Sequence, residues 1–476
     1  MIAFDPEHHL TRLGKNILDR RSILKAGIAM SSMASIATVV KAVMPPLSVP
    51  DYRYREDTDD TAAVNRALEA GGSIYFPAGK GSGPNGVYLL RAIALRSDIK
   101  IFGDGPHSIL RSADPDEKYI FFGISKTVED PLKNIAIYDL RVEGLVTKTG
   151  FREHWNLISF SGVIGLKIER VEFIGFSGDG LYLGAEIEGA KREFRPTRDV
   201  MVTNCLFDGV TGDNRNGISI ISGSDILIYR CHFRRCTRAN MPGPIDFEPD
   251  AFPFYSLARL QVVECDFNDC GGNVGQIALV VPTVVPMPHD ILIKGNRFQG
   301  YRGTGGEIVI TINREPSAQS SSMNCVIEDN IGVEGYSGVQ IYSGKGIAVR
   351  NNQWTRYKSR SFLGYPEQTA GVINVSISDR FDGCGWEEGV ALAVYKGDGV
   401  QLTENVFTHS GNNTPGSAPL YLGPGRLRRL TMIRNDFRNN PASRGLITVE
   451  RGTDYISGSS HISGNFLPEG SVFPTL

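Results

Sequence analysis

Within Gly243-Pro244-Ile245-Asp246-Phe247-Glu248-Pro249-Asp250, two carboxylates alternate with two large apolar residues. Successive side chains of an extended strand point to opposite faces, so Ile245 and Phe247 share one face and Asp246 and Glu248 the other. Residues i and i+2 then lie about 6.5–7 Å apart at Cα. Glycoside hydrolysis uses two carboxyl groups about 5–9.5 Å apart, one protonating the leaving oxygen, the other activating water or attacking the anomeric carbon. Like charge at close range raises one pKa, which suits the acid role. Asp246 and Glu248 are therefore a candidate acid/base pair. A solvated strand face, or a calcium ligand set completed by Asp250, are competing readings of the same pattern.

Two nearby turns offer partners. Gly178-Asp179-Gly180 sets Asp179 just before Leu181-Tyr182-Leu183, and Asp213-Asn214-Arg215-Asn216 takes the same place before Gly217-Ile218-Ser219-Ile220. Gly, Asp and Asn are common in plain turns, but these two adjoin the acidic strand. Asp179 and Arg215 are read as catalytic helpers, and Asp213, Asn216, Tyr182 and Ser219 as substrate contacts. Arg215 could hold a substrate carboxylate bidentately, or serve as the base of a β-elimination if its pKa were lowered.

A repeat positions these residues. A short apolar strand, a Cys or Asn, one variable residue and an aromatic recur in Val202-Thr203-Asn204-Cys205-Leu206-Phe207 and Ile228-Tyr229-Arg230-Cys231-His232-Phe233. Val262-Val263-Glu264-Cys265-Asp266-Phe267 and Ile293-Lys294-Gly295-Asn296-Arg297-Phe298 follow. The polar step returns at Asn330, Asn352, Asn405, Asn435 and Asn465, and the aromatic at Trp354, Phe407 and Phe437. The longer interval from Asn352 to Asn405 predicts an insertion. A second strand follows each aromatic. One such unit cannot bury its own apolar face, whereas a stack can. The pattern predicts an all-β chain, a right-handed single-stranded parallel β-helix with coils about 4.8 Å apart.

In that register each repeated position becomes a column. Cys205, Cys231 and Cys265 share the buried column of the later Asn residues, and Cys236 and Cys270 form a second short one. Neighbouring coils are close enough for a disulfide, so one or two bridges stay open. The second strands align into an outward column of Tyr182, Ser219, Asp246, Ala278, Val309, Gln340, Asn374, Tyr421 and Thr448. Two residues on, another column includes Glu248, Tyr342 and Ser376. Insertions at 186–198, 249–257, 282–289 and 313–323 predict the walls of a groove over the acidic strand. Tyr182, Tyr255 and Tyr342 are candidate sugar-stacking platforms there.

Asp60-Thr61 predicts an N-capped helix to about Ala70, stopped by Gly71-Gly72, before a first strand Ser73-Ile74-Tyr75-Phe76. Such a helix would cover the unpaired strand edges at the end of the stack. Upstream, Asp19-Arg20-Arg21-Ser22-Ile23-Leu24-Lys25 precedes a short apolar run and the small residues of Val40-Lys41-Ala42. This is the pattern of a twin-arginine export signal. Residues 1–42 are thus expected to be a signal segment and 43–476 the β-helix domain, with a cap about 57–80 and coils to about 467. The product would be periplasmic or secreted, without stable membrane insertion. A formal net charge of −2 with 21% charged residues argues against a nucleic-acid partner. The seven cysteines show no metal-like CxxC spacing.

Asp59-Asp60-Thr61-Ala62-Ala63-Val64, followed by Gly72-Ser73-Ile74-Tyr75-Phe76-Pro77-Ala78-Gly79, resembles the opening of pectate-lyase-superfamily β-helix domains. The coil periodicity carries the resemblance to about residue 467. It implies a polysaccharide-active protein without selecting an activity, since the superfamily includes lyases, glycoside hydrolases, epimerases and tail-spike depolymerases. Against polygalacturonase motifs, Gly178-Asp179-Gly180 is a partial echo, no Gly-His-Gly exists, and Leu292-Ile293-Lys294 lacks the arginine of Arg-Ile-Lys. Against the Asp-Pro-His of mannuronan epimerases stands only Glu248-Pro249-Asp250. No catalytic residue is carried over from either. The expectation is an extracytoplasmic glycoside hydrolase acting on a polysaccharide or oligosaccharide, as a monomer or homo-oligomer, with no required cofactor and calcium as an optional ion. Rival readings are a polysaccharide lyase or uronate epimerase using Arg215, and a non-catalytic carbohydrate-binding scaffold.

Overall fold

The computed structural model describes residues 45–476 apart from 189–193, 315, 366–370, 412–416, 441–444, 451–452, 456–459 and 472–476. The expected signal segment lies outside the described residues. The chain is a parallel β-helix. Among the described residues the strands form one 26-stranded and one 13-stranded sheet, and the paired strands run parallel. The larger sheet takes the repeat's first strand and its aromatic-bearing strand; the smaller sheet takes the second strands.

The residue before the polar step turns the corner between the first two strands. Asn204, Arg230, Glu264, Asp329, Asn351, Glu404 and Arg434 all have left-handed backbone, with φ between 51° and 59°. That conformation costs an ordinary L-residue roughly 1–2 kcal/mol. The columns it creates offset this cost. Asn296 donates its backbone N–H and its Nδ2 to Asn330 Oδ1, both at 2.9 Å, and Asn330 repeats the pattern onto Asn352 at 2.9 and 2.8 Å. Earlier in the same column the thiols of Cys205, Cys231 and Cys265 donate to the carbonyls of Ile168, Val202 and Ile228. All seven cysteines are buried free thiols, so the bridges left open by the column spacing are not formed. Two residues on, Phe173, Phe207, Phe233, Phe267 and Phe298 stack with centroids 4.5–5.0 Å apart.

The long interval between Asn352 and Asn405 is not an insertion but a complete coil. Its polar step is Asp379, on the strand Val372–Asp382. Asp379 Oδ1 accepts the N–H and Nδ2 of Asn352 at 3.0 and 2.9 Å, and its N–H donates to Asn405 Oδ1 at 2.9 Å. An acid in an amide ladder hid the rung. Its other oxygen accepts the indole N–H of Trp354 at 3.0 Å. Trp354 pairs with Gly332 in the preceding coil. A Cβ at Gly332 would fall 2.9 Å from the indole and 2.1 Å from Tyr357 Oη, so the aromatic column is interrupted there to admit the larger ring.

The helix Thr61–Ala70 buries Ala63, Val64, Ala67 and Leu68, packing on Ser73–Phe76 and Ile93–Ala94. Asp60 does not cap it with its side chain as expected. Asp59 Oδ1 accepts the Thr61 N–H at 2.9 Å. The buried Asp60 carboxylate instead takes the N–H groups of Ser82 and Leu89 and the Ser82 hydroxyl, tying the helix start to later turns. The outward column of the smaller sheet runs Tyr182, Ser219, Asp246, Ala278, Val309, Gln340, as expected. It continues through Phe362 and Ala393 to Tyr421 and Thr448. Asn374 and Ser376 do not belong to it, because their strand lies in the larger sheet. Among the described residues no helix is long and apolar enough to cross a membrane.

Candidate functional site

Three successive coils of the smaller sheet build the site. The strands Leu181–Gly184, Ile218–Ile220 and Ile245–Phe247 put Tyr182, Ser219 and Asp246 side by side, and the turns before the first two bring in Asp179 and Arg215. Arg215 is the centre. Its Nη1 donates to Asp179 at 3.2 and 3.4 Å and to Ser219 Oγ at 2.8 Å. Nη2 lies 3.7 Å from Asp246 and 3.9 Å from Glu248, and Nε lies 3.8 Å from Glu153. Four carboxylates thus face one guanidinium. Asp179 and Asp246 are 1% exposed, whereas the Glu248 side chain is 42% exposed just past its strand. Asp246 therefore lies beneath Arg215, and Glu248 beside it in reach of solvent.

The amide of Asn216 fixes the arrangement. Its backbone N–H donates to Asp179 Oδ1 at 3.1 Å, and its Nδ2 to Ser219 Oγ at 2.9 Å and Asp246 Oδ2 at 3.1 Å. Asn156 Oδ1 accepts the N–H of Asp179 at 2.9 Å. Two acceptors are left over: Asp246 Oδ1 and Asn216 Oδ1 are buried with no hydrogen-bond donor among the described residues. An unpaired buried acceptor costs roughly 1–3 kcal/mol.

Burial pushes the Asp246 carboxyl well above its ordinary range; the negative charge of Glu248 adds to this, and Arg215 opposes it. Burial also raises Asp179, against the pull of Arg215. For Arg215, burial works against the charge, but the carboxylates of Asp179, Asp246 and Glu248 outweigh it and its pKa is raised. The reading of Arg215 as an elimination base needs a lowered pKa, and this direction is the opposite one.

A cleft of about 700 Å³ lies over Asp179 and Arg215 and runs toward the N-terminal coils, past Tyr119, Phe122, Glu153, Tyr182, Glu186 and Asp250. Glu186 is held in place by the Ser161 hydroxyl at 2.7 Å, the Ala185 N–H at 3.1 Å and the Tyr182 hydroxyl at 3.4 Å. Of the four expected wall segments, 186–198 and 249–257 contribute, through Glu186 and Asp250. Segments 282–289 and 313–323 do not line the cleft.

Other expected site residues fall elsewhere. Asp213 points out of the cleft, 3.8 Å from Arg238. Tyr255 is buried, edge-on to Phe194, Phe252 and Phe254, and offers no face to a sugar. Phe252 and Phe254 stand exposed in front of it. Tyr342 packs half-buried against Phe362 and Tyr365, outside the cleft. Only Tyr182 keeps the platform position. Among the described residues no group of three or more His, Cys, Asp or Glu side chains is arranged to hold a metal ion. Glu153, Asn156 and Tyr119 escaped the sequence reading because the N-terminal coils carry the weakest copies of the repeat. Their only signal was a position one turn ahead of Asp179.

No family model matches the chain, and no curated protein sequence matches it. Solved structures do. The chain is similar to the N-terminal fragment of bacteriophage phi29 gene product 12, with TM-score 0.60 and 16% identity over 87% of this chain and 70% of that one. The pre-mature form of that gene product aligns with TM-score 0.58 and 15% identity over 87% of this chain. This chain spans 55% of the pre-mature form's length. A hyperthermoactive exopolygalacturonase from Thermotoga maritima aligns with TM-score 0.52 and 14% identity over 78% of this chain and 92% of that one. At these identities the likeness is one of fold.

Proposed function

We propose that the chain is a carbohydrate-active enzyme, a glycoside hydrolase that works on a polysaccharide or oligosaccharide at the end of the cleft lined by Arg215, the cation that Asp246 and Glu248 share. The observation that carries the reading is the Asp246–Glu248 pair. One member is buried and holds its proton above the usual carboxylate range; the other is half exposed beside it. Both approach Arg215 Nη2, at 3.7 and 3.9 Å, so their nearest oxygens lie no farther apart than the sum of those distances.

In this reading Asp246 carries the proton that the leaving oxygen needs, and Glu248 meets the attacking water or the anomeric carbon. Because Arg215 covers Asp246, the proton reaches the leaving oxygen after Arg215 gives way, and Glu248 stays ionised. Asp179, Asn216 and Ser219 position Arg215 and Asp246, and Tyr182 supports the sugar. The chemistry requires no cofactor, and a calcium requirement is tested by chelation. The likeness in fold to an exopolygalacturonase and the pectate-lyase-like opening support a carbohydrate ligand. Arg20-Arg21 and the run behind them support export to the periplasm or beyond. A β-elimination on the same cleft is disfavoured by the carboxylates that keep Arg215 protonated.

The test is a product screen on neutral and uronic-acid glycans with the wild type, Asp246→Asn and Glu248→Gln. New reducing ends report hydrolysis, and near-ultraviolet absorbance reports the double bond of a lyase product. Hydrolysis that collapses in both variants is expected. Full turnover in both variants overturns the site assignment, and binding without turnover of any glycan favours a scaffold.

A further inference from the structure

Exposure along the outward column of the smaller sheet is one-sided. Ala94, Phe122, Ser159, Tyr182, Ser219 and Asp246 are successive members of that column. Ala94 is exposed, and Phe122, Ser159 and Tyr182 are half-buried; the last three form the floor of the cleft. Ser219 and Asp246 are buried beneath Arg215, whose side chain lines the end of the cleft. Past them the floor does not reopen. Ala278, Val309, Gln340, Phe362 and Ala393, the next five members, are at most 6% exposed. A side chain on the outward face of a strand is buried only where other parts of the chain lie over it. Over Phe362 and Ala393 that cover is an aromatic cluster with Tyr342, Tyr365 and Tyr395.

The side walls agree. Lys118, Tyr119 and His154 come from the turns before the floor strands, and Ile124, Ser161 and Glu186 from the far side. No described residue beyond Asp250 lines the cleft. The cleft is thus a groove along the solenoid axis, open past Phe122 and shut at Arg215. From the strand of Phe122 to that of Ser219 is three strand spacings, about 14 Å. Asp246 and Glu248 stand at the shut end, on either side of Arg215 Nη2. A hydrolase cuts within a chain only if the chain runs on past its reacting carboxylates in both directions. Here the groove lets it run on in one direction, toward the N-terminal coils.

We propose that the enzyme is exo-acting: the end of a glycan chain abuts Arg215, the rest lies over Tyr182, Ser159 and Phe122 toward Ala94, and each turnover releases a short product from that end. One water is added across the bond cleaved, its hydroxyl to the anomeric carbon and a proton to the leaving oxygen. This rests on the reading of the Arg215 end as a hydrolytic site, and adds which bond of the chain that site reaches. Tyr119 and Phe122, packed at 5.6 Å, then serve as the distal platform, met only by longer chains.

The experiment follows viscosity and product size together on the glycans of the product screen, beginning with polygalacturonate, mixed-linkage β-glucan, amylose and chitosan. Oligosaccharides of increasing length from the glycan that is hydrolysed give kcat/KM against chain length. Short sugars are expected from the first time point while viscosity barely falls, and kcat/KM should rise with length until the floor is filled to Phe122. Phe122→Ala should lower kcat/KM up to about tenfold for the long chains and far less for the shortest. Tyr119→Ala, on a turn rather than a strand, repeats the test should the first variant fold poorly by circular dichroism. Rapid loss of viscosity with long early fragments would show internal cleavage and overturn the exo mode while leaving the hydrolase standing. Variants that weaken short and long chains alike overturn the direction assigned to the chain. If no glycan is hydrolysed, the hydrolase reading falls, and the exo mode with it.

Discussion

Replacing Arg215 with Met keeps an unbranched apolar stem and removes the one cation from the acid cluster. Asp179 then loses two hydrogen bonds, at 3.2 and 3.4 Å, and keeps only neutral donors around an almost fully buried carboxylate. Removing one partner of a buried ion pair costs about 3–5 kcal/mol, because the remaining charge is uncompensated. The site has an escape: Asp179 can take a proton instead. Keeping an acid protonated in the fold costs about 1.4 kcal/mol for each pH unit above its ordinary pKa. Taken from the ordinary value of 3.8, that ceiling is about 6 kcal/mol at pH 8 and about 1.6 kcal/mol at pH 5. The variant's stability deficit should therefore shrink by up to about 4 kcal/mol on acidification from pH 8 to pH 5. The raised pKa of Asp179 in the wild type trims this figure, since part of the cost is already present. Guanidinium unfolding of both proteins at pH 5 and pH 8 reads the difference directly. A deficit that is the same at both pH values would show that Arg215 packs rather than neutralises, and the electrostatic account of the site would fail.

Three further outcomes follow from buried acids elsewhere in the chain and at the site. Hydrolysis should fall on the alkaline side as pH rises through the raised pKa of Asp246, the proton carrier; a kcat/KM profile flat across that range would remove Asp246 from the acid role. Trp354 and Asp379 form a matched pair, so Asp379→Asn should cost about 1–3 kcal/mol by turning an amide donor toward the indole N–H, while the double variant with Trp354→Phe should cost less than the sum of the singles. Glu307 is buried and pushed up to about 7 by desolvation, against hydrogen bonds from Tyr357 and Gln276. The stability it lends is full below its ordinary pKa and is lost as pH rises through about 7. Relative to wild type, Glu307→Gln should therefore gain thermal stability between pH 5 and pH 8, and a constant offset would contradict the assignment.

The stack was legible in the sequence because each coil must offer the same residue type to the same column. Cys205, Asn296 and Phe207 recur for that reason, and the register they define correctly aligned Tyr182, Ser219 and Asp246 across three coils. Legibility failed where the column admits a substitute. Asp379 accepts hydrogen bonds as the amide oxygen does, so the rung persists while the letter changes. Walls were harder still. Insertion length says where a loop leaves the coil but not which way it folds, and the 249–257 loop tucked Tyr255 inward and left Phe252 and Phe254 outside. The cleft runs toward the N-terminal coils because its far side comes from Tyr119 and Glu153, in turns with no periodic signal.

The acidity of the site is not something the fold requires. The same outward column continues from Asp246 to Ala278 and Val309, both buried and apolar, in coils with the same parallel register. A small apolar residue is thus structurally acceptable one coil away. Asp246, by contrast, is buried with a raised pKa and one oxygen that has no donor. Replacing a buried ionisable group by an apolar one is often neutral or stabilising when its partners stay satisfied. They do here: without Asp246, Arg215 keeps Asp179, Glu248 and Glu153, and Asn216 Nδ2 keeps Ser219. Asp246→Ala should therefore leave the melting temperature unchanged or raise it, while hydrolysis falls by orders of magnitude. A carboxylate retained at a cost to the fold is the signature of a residue kept for chemistry. A variant that unfolds at markedly lower temperature would show instead that Asp246 is a strut of the solenoid, and the reason for reading it as an acid would be gone.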